Sequence, residues 1–318
     1  MYHYNTNIPV CHLKNFLKEV PVFYIMIYTK QRKTGDRLKI SDKKDLRTLL
    51  EGQGFSFKKS LGQNFLTDDT VCPRMAAAVA GENTGVLEIG PGAGVLTAQL
   101  SQNCKKVVSV ELDERLKPVL GQTVSDCENV KIIWGDILKT DLKKLFEDEF
   151  CDCDIINVCA NLPYYITSPV IMMLLESRLP INTIAVMVQK EAADRLCAAV
   201  GTRAAGAVTV AVNYYACAEL LFNVPRTFFM PPPNVDSAVI KLTLRKNSPV
   251  NVKDEKLFFK IVKACFAQRR KILINTLCNT LGVEKDILRK ALETAKIPET
   301  VRGEALTMEQ LVDLSNAL

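Results

Sequence analysis

The feature that most constrains this sequence is a repeated alternation of short apolar segments with amphipathic ones, which begins near Gly85. The segments at residues 86–89, 107–110 and 155–160 are mostly apolar at consecutive positions and rich in β-branched side chains. Such strands are typical of a parallel sheet that helices cover on both faces. The sequence therefore predicts an α/β fold with a doubly wound, Rossmann-like sheet. Further strands are predicted at residues 130–134 and 183–188, and an antiparallel edge at residues 219–224 and 237–244.

The chain divides into three stretches of different character. Residues 1–37 mix aromatic residues, prolines and lysines without periodicity, which predicts a poorly ordered N-terminal extension. Residues 38–248 carry the strand and helix alternation, and residues 249–318 have helical periodicity, which predicts a small C-terminal all-α domain. Its helices are predicted at residues 255–280, 285–294 and 307–317. No apolar run reaches the about 18 residues of a membrane span.

The cysteine and histidine content argues against a metal site. The chain has 11 cysteines but only 2 histidines, and no two cysteines stand in a Cys-x-x-Cys pair. Zinc sites require closely spaced ligands of these types, and a disulfide framework is typical of much shorter secreted chains. We therefore predict reduced thiols in a cytoplasmic protein that binds no metal.

Polar features follow the first three predicted strands, at the edge where a doubly wound sheet binds its ligands. Gly90, Gly92 and Gly94 follow the first strand, and glycine lets the backbone approach a ligand closely. Glu111 ends the second strand, where a carboxylate can accept both hydroxyls of a ribose. Asp136 follows the third strand, where it can accept a hydrogen bond from an adenine amino group. Together they predict a site for an adenosine-containing cofactor.

The spacing of the glycines narrows the choice of cofactor. A dinucleotide-binding fingerprint is Gly-x-Gly-x-x-Gly, which places a pyrophosphate on a helix N-terminus. Here the spacing is Gly-x-Gly-x-Gly, with Glu88 before the first glycine. This arrangement favours a cofactor without phosphate, S-adenosylmethionine, and therefore a class I methyltransferase domain. A nicotinamide site and an ordinary tight turn are the alternatives.

Asn161-Leu162-Pro163-Tyr164 ends the fourth predicted strand and faces the same edge of the sheet. The exocyclic amine of adenine is a poor nucleophile because its lone pair is delocalised into the ring. The Asn161 side-chain oxygen and the Leu162 main-chain carbonyl can accept its two N–H groups, which favours a tetrahedral nitrogen. Tyr164 can stack on the base, a contact worth ~1–3 kcal/mol. The motif thus predicts methyl transfer by positioning, although alone it could be a strand-ending turn with a core tyrosine.

A proline-rich segment at residues 229–237 is the second candidate wall for a base. Proline stiffens a loop, which could hold Phe228 or Phe229 against the other face of a flipped base. A rigid turn before an edge strand explains the prolines equally well.

Positive charge is concentrated towards the C-terminus of a chain whose net charge is +6. Residues 241–271 contain ten basic and two acidic side chains, which predicts a polyanionic partner such as nucleic acid. Within the predicted helix at residues 255–280, a polar run can contact phosphates or form a solvated face. This run is Gln268, Arg269, Arg270 and Lys271.

From about residue 42 to residue 318, the sequence resembles the bacterial small-subunit (16S) rRNA adenine N6-dimethyltransferase family (KsgA/RsmA). The resemblance rests on the motifs at residues 57–66, 88–92, 161–164, 229–237 and 266–271. It implies that two adjacent adenosines in the 3′-terminal hairpin loop of 16S rRNA each receive two methyl groups on N6. It also implies S-adenosylmethionine as the methyl donor and a pre-30S particle as the substrate. We expect the enzyme to be a monomer.

Carried over by motif, the resemblance implies a role for each candidate site residue. Contacts to S-adenosylmethionine fall to Asn64, Leu66, Gly90, Glu111, Asp136 and Asn161. The target base is framed by Asn161, Leu162, Tyr164 and Phe229. RNA phosphates are contacted by Gln268, Arg269, Arg270 and Lys271.

Two stretches depart from the family pattern, and two other functions stay open. The family usually has a Pro-Gly segment with an aromatic residue nearby, and residues 200–205 stand in its place here. Residues 1–37 have no counterpart in the family. A macrolide-resistance methyltransferase, which modifies a 23S rRNA adenine, is disfavoured by residues 58–63 and by Leu162. A non-catalytic ribosome-assembly or nucleic-acid-binding factor is disfavoured by the presence of Glu111, Asn161 and Tyr164.

Overall fold

The structure is a computed structural model that describes residues 42–58, 62–268 and 271–318. These residues belong to a unit that runs from Lys39 to Leu318, and the predicted extension at residues 1–37 lies outside them. The strands are β1 (Phe65–Leu66), β2 (Gly81–Ile89), β3 (Cys104–Glu111), β4 (Val130–Trp134), β5 (Ile155–Asn161), β6 (Ile181–Gln189), β7 (Ala216–Val224), β8 (Phe229–Met230) and β9 (Ser237–Leu244). The α-helices are α1 (Lys43–Gly52), α2 (Val71–Ala77), α3 (Val95–Asn103), α4 (Lys117–Thr123), α5 (Leu142–Glu149), α6 (Thr167–Glu176), α7 (Lys190–Leu196), α8 (Ala207–Tyr215), α9 (Glu255–Ala267), α10 (Leu273–Leu281), α11 (Lys285–Thr294) and α12 (Met308–Ala317).

The central sheet has seven strands in the order β4-β3-β2-β5-β6-β9-β7. The strands from β4 to β6 are parallel, whereas β9 runs antiparallel to both β6 and β7. One branch of the chain moves outwards from β2 through β3 to β4, and the other moves from β5 to β6, so the order reverses between β2 and β5. This topology confirms the predicted doubly wound α/β fold with an antiparallel edge.

Both faces of the sheet are covered. Successive residues of a strand point to opposite faces, so each strand contributes side chains to the cores on both sides. Leu87 and Ile89 of β2 belong to the core that includes α5, α6, α8 and the C-terminal helices. Val86, directly before Leu87, belongs to a separate core with Met75 of α2 and Leu100 of α3. Burial on both faces accounts for the near-continuous apolar character of the central strands.

A small antiparallel ladder joins the N-terminal segment to the proline-rich segment. Phe65 of β1 pairs with Met230 of β8, and Leu66 pairs with Phe229. This ladder was not predicted from the sequence, because a two-residue strand has no periodicity to detect. It fixes the position of the proline-rich segment, whose Met230–Pro231 peptide bond is cis.

The C-terminal helices pack directly on the sheet region. Glu255, at the start of α9, accepts hydrogen bonds from the hydroxyls of Tyr214 at 3.2 Å and Tyr215 at 2.6 Å. The Tyr215 ring also stacks on Phe259, with ring centroids 5.4 Å apart. Side chains of α8 and of α9 to α12 belong to one apolar core. The domain boundary predicted at residues 248/249 stays a prediction.

The predicted single helix at residues 255–280 is wrong. The structure has two helices, α9 and α10, and Gln268 and Lys271 lie in the connection between them. A continuous helix would turn the buried face of α10 by roughly 110° away from that of α9. The break lets Leu273 and Leu277 join the same core as Phe258, while the Leu273 amide donates to the Val301 carbonyl at 3.0 Å. The polar run is therefore not part of a helix in its described residues, and Arg269 and Arg270 lie outside them.

Several negative findings apply to the described part of the chain. Its ten cysteines are all free, and it holds no group of three or more His, Cys, Asp or Glu residues placed to bind a metal ion. None of its helices is long and apolar enough to cross a bilayer.

Gly303 tests the packing of the C-terminal helices, because a Cβ atom there would lie 2.4 Å from the carbonyl oxygen of Cys265 in α9. We expect Gly303→Ala to lower the free energy of unfolding by at least the ~1–3 kcal/mol typical of overpacking, measured as a lower urea midpoint. Gly121→Ala is the matched control, because Gly121 lies in α4 with no atom within 4 Å of a new Cβ. A Gly303→Ala midpoint equal to the wild type would contradict the packing described.

Candidate active site

A cavity of about 260 Å³ opens at the carboxyl ends of β2 to β5, where the strand order reverses. All nine residues predicted to contact the cofactor or the base line this one cavity. They are Asn64, Leu66, Gly90, Glu111, Asp136, Asn161, Leu162, Tyr164 and Phe229. Gln268 and Lys271 are not among its lining residues.

The register of the sheet brings the central residues of the cavity together. Ile89 of β2 lies opposite Val110 of β3 and Ala160 of β5. The next residue of each strand therefore emerges at the same level. These three residues are Gly90, Glu111 and Asn161.

The glycine loop after β2 presents its backbone to the cavity. Gly90 and Gly92 have φ angles of +71° and +57°, which residues other than glycine rarely adopt. No atom lies within 4 Å of a Cβ built on Gly90, whereas one on Gly92 would meet the Phe65 ring at 3.1 Å. The loop thus leaves space for a ligand directly above Gly90.

Glu111 is the acidic group best placed to bind a ligand. Its side chain is buried, and its two oxygens accept hydrogen bonds from the Asp113 amide at 2.8 Å and the Gly92 amide at 3.2 Å. Burial raises the pKa of Glu111, and these N–H donors partly oppose that rise. A carboxylate has about four acceptor positions, so about two remain for the hydroxyls of a ribose.

Glu88 lies beneath the glycine loop and does not line the cavity. It is fully buried, and one carboxyl oxygen accepts hydrogen bonds from Thr97 at 2.8 Å and Ser109 at 2.6 Å. Its other oxygen has no hydrogen-bond partner among the described residues. Burial raises the pKa of Glu88 to about 7, although the two hydroxyl donors oppose the rise. Glu88 therefore links β2, β3 and α3 rather than contacting the cofactor.

The cofactor end of the cavity combines a carboxylate with exposed apolar side chains. Asp136 accepts a hydrogen bond from the Leu138 amide at 3.0 Å. Leu112 and Leu138 are 49% and 41% exposed and both line the cavity, so they offer apolar surface to a flat ring. Neither leucine was predicted from the sequence to belong to the site. The signal that could have identified them is their spacing: Leu112 directly follows Glu111, and Leu138 comes two residues after Asp136.

Neutral acceptors and two aromatic side chains, Tyr164 and Phe229, also line the cavity. The side-chain amide of Asn161 has no hydrogen-bond partner among the described residues. The side chain of Leu162 is buried, and its main-chain N–H donates to the Met187 carbonyl at 3.2 Å. The Tyr164 hydroxyl lies 2.9 Å from the Ser237 hydroxyl, and burial raises the pKa of Tyr164. Phe229 lines the cavity and Phe228 does not, which separates the two aromatic candidates.

The segment before β1 closes one side of the cavity. Gln63 donates a hydrogen bond to Asp113 at 2.6 Å, and Asp113 also pairs with Arg115 at 2.6 Å. Burial alone would raise the pKa of Asp113, but hydrogen bonds from Arg115 and Gln63 outweigh it and lower the pKa. Gln63 and Asp113 are therefore structural partners of the site that the sequence analysis did not single out.

These groups fit S-adenosylmethionine. The space above Gly90 accommodates a ligand that approaches the backbone, Glu111 retains acceptor capacity, and Leu112 and Leu138 offer an apolar surface for adenine. When bound, this cofactor supplies a methyl group on a positively charged sulfonium. Fold and site together define a class I S-adenosylmethionine-dependent methyltransferase.

Comparisons with known proteins identify the family. The sequence model of the family described as ribosomal RNA adenine dimethylase matches residues 54–318. The ribosomal RNA small subunit methyltransferase A of Geobacillus thermodenitrificans is 52% identical over 277 residues, which cover 86% of this chain and 94% of that protein. This chain therefore belongs to the ribosomal RNA adenine dimethylase family.

Solved structures agree with this assignment. A dimethyladenosine transferase from Plasmodium falciparum is 26% identical with a TM-score of 0.65, and the match covers 79% of this chain and 95% of that one. The 23S rRNA methyltransferase ErmE is 25% identical with a TM-score of 0.61, over 80% of this chain and 99% of that one.

The buried carboxyl of Glu88 predicts a specific pH dependence of stability. Its pKa rises from 4.5 in the unfolded chain to about 7 in the fold, so the folded state holds a proton that the unfolded state has released between these values. The contribution of protonated Glu88 to the free energy of unfolding is complete below pH 4.5. It falls as the pH rises through the folded pKa, by about 3 kcal/mol in all. Glu88→Gln should flatten the fall of the urea midpoint between pH 5 and about 7.

Glu82→Gln is the control for the loss of one carboxylate, because Glu82 is exposed at the start of the same strand. Its pH profile should match the wild type. An unchanged profile for Glu88→Gln would show that the buried carboxyl does not govern stability in this range.

Proposed function

We propose that this chain transfers methyl groups from S-adenosylmethionine to N6 of two adjacent adenosines in the 3′-terminal hairpin loop of 16S rRNA. Its substrate in this proposal is a pre-30S particle in the cytoplasm, and the enzyme acts as a monomer. The observation that carries the proposal is the position of Asn161. Its side-chain amide has no partner among the described residues, and it lies beside Gly90 where the strand order of the sheet reverses. The 52% identical relative named a small subunit methyltransferase supports the choice of RNA.

In this proposal the side chains position the amine rather than activate it with a base. The Asn161 oxygen and the Leu162 carbonyl accept the two N–H groups of the adenine amine, which reduces delocalisation of its lone pair. The nitrogen then forms a bond to the methyl carbon while the carbon–sulfur bond breaks and its electron pair stays on sulfur. The proton leaves the nitrogen afterwards. Positioning of this kind can contribute a large part of the rate.

Tyr164 and Phe229 are proposed to hold the two faces of the target base. Each ring is fixed from behind: Tyr164 through the Ser237 hydroxyl, and Phe229 through the β1–β8 ladder. Rings that are already fixed lose little conformational freedom when a base enters between them. A flipped adenine costs unstacking energy, and two such contacts help to offset it.

The 23S alternative is less well supported. The 23S rRNA methyltransferase ErmE shares the fold at 25% identity, about half the identity of the small-subunit relative. The fold and the amine-binding residues are compatible with either RNA, so the choice rests on the relative and on residues 58–63. An experiment with both substrates distinguishes the two.

The first test uses labelled S-adenosylmethionine with unmethylated small subunits and, separately, with 23S rRNA. Label on N6 of adjacent 16S adenosines is expected, whereas label only on 23S rRNA would overturn the proposal. Asn161→Ala should slow transfer by at least the ~100-fold typical of losing one preorganised polar contact. Particle binding should change little. Transfer by Asn161→Ala at the wild-type rate would remove Asn161 from the site.

The second test concerns the polar run at residues 268–271. We propose that Arg269, Arg270 and Lys271 contact RNA phosphates, so their joint replacement by Ala should weaken binding to the small subunit. The slope of log affinity against log salt should become shallower by about 2, because each lost phosphate contact removes ~0.7–0.9. A control variant replaces three exposed lysines that lie on helices elsewhere in the chain, Lys143, Lys144 and Lys285. Equal slopes for both variants would overturn the proposed phosphate contacts.

A further inference from the structure

Two adjacent tyrosines in the short turn at Tyr164–Ile166 have opposite environments. Tyr164 is partly buried, and its hydroxyl lies 2.9 Å from that of Ser237. Tyr165 lines the same cavity but is 56% exposed, and its hydroxyl has no hydrogen-bond partner among the described residues. No requirement of the core explains an exposed aromatic ring at this position.

The Tyr165 ring is supported on one side. Gly62 has a φ angle of +58°, and a Cβ built on it would lie 3.5 Å from the Tyr165 ring and 3.6 Å from Pro163. The ring thus lies close to the Gly62 turn, while more than half of its surface faces solvent. An aromatic ring has only two side-chain torsions, so one with such support loses little freedom when a ligand stacks on its open face.

The position of Tyr165 distinguishes it from the other exposed apolar residues of the cavity. Leu112 and Leu138 lie near the acids that follow β3 and β4, at the cofactor end. Tyr165 directly follows the Asn161-Leu162-Pro163-Tyr164 motif, which is proposed to hold the target adenine. We propose that Tyr165 is a stacking subsite for the nucleobase next to the one being methylated; this rests on the proposed function.

The chemistry of single-stranded RNA favours this assignment. Unpaired bases are recognised by stacking on exposed aromatic side chains. Tyr164 and Phe229 bound the target subsite from positions that are partly or fully buried, so a neighbouring base has to stay outside it. When two adjacent adenosines are methylated in turn, each is the neighbour of the other. The two neighbours lie on opposite sides of the target along the strand, so one platform at Tyr165 takes the base on one side of the target.

Tyr165→Ala, Tyr165→Phe and the wild type can be compared for binding to unmethylated small subunits. We expect Tyr165→Ala to weaken binding by roughly 5- to 150-fold, the effect of losing one stacked base. Tyr165→Phe should stay within about twofold, because the ring rather than the hydroxyl makes the contact. Affinity for S-adenosylmethionine should not change. Ile287→Ala, which truncates a 51% exposed side chain on α11, is the control for lost surface area.

Reconstituted subunits with an abasic nucleotide beside one target adenosine provide the sharper test. The wild type should bind them less tightly than intact subunits, whereas Tyr165→Ala should show little further loss, because the partner of the missing base is already absent. Equal losses for both proteins would overturn the subsite. A loss of S-adenosylmethionine affinity in Tyr165→Ala would also overturn it, by placing Tyr165 in the cofactor site.

The two proposals fail in different ways. A wild-type protein that does not methylate small subunits would overturn the proposed function itself. An active wild type with normal particle binding by Tyr165→Ala would overturn the subsite alone. Urea midpoints of the variants show whether the substitutions alter folding.

Discussion

The parallel pairing of β2 with β5 is the constraint on which the site depends. These strands are neighbours in the sheet although two others separate them in sequence, and their register places Gly90 beside Asn161. A slip of one residue would turn every side chain of a strand to the opposite face. Because both faces are buried, the apolar side chains fix the register. The packing of the core therefore also sets the distance between the glycine loop after β2 and Asn161.

The two aromatic rings proposed to hold the target base, those of Tyr164 and Phe229, depend on contacts between distant parts of the chain. Phe229 is positioned by its pairing with Leu66, and Tyr164 by its hydroxyl contact with Ser237. Phe229 and Ser237 lie at the two ends of one proline-rich segment, so this segment helps to hold both rings. That arrangement explains why a stiff loop is useful here: a flexible one would let the spacing of the two rings vary independently.

Sequence reasoning succeeded where local chemistry determines the structure. Strand ends that carry Gly90, Glu111 and Asn161 were predicted because apolar runs give way abruptly to polar residues, and the cavity contains all of them. It failed where tertiary packing decides. The break between α9 and α10 has no proline or glycine to mark it and arises from the core that both helices share. Tyr165 was missed because exposure cannot be read from a single position.

The two proposed acceptors of the target amine, Asn161 and Leu162, differ in their freedom to adjust, which matters for two transfers to one nitrogen. After the first transfer the amine retains a single N–H, so only one of two acceptors can keep its hydrogen bond. The Leu162 main chain is held by its bond to Met187 and by burial of its side chain. The Asn161 amide has no such restraint among the described residues and can rotate. In the proposed reaction, Leu162 would therefore keep the remaining N–H while Asn161 adapts to the methyl group.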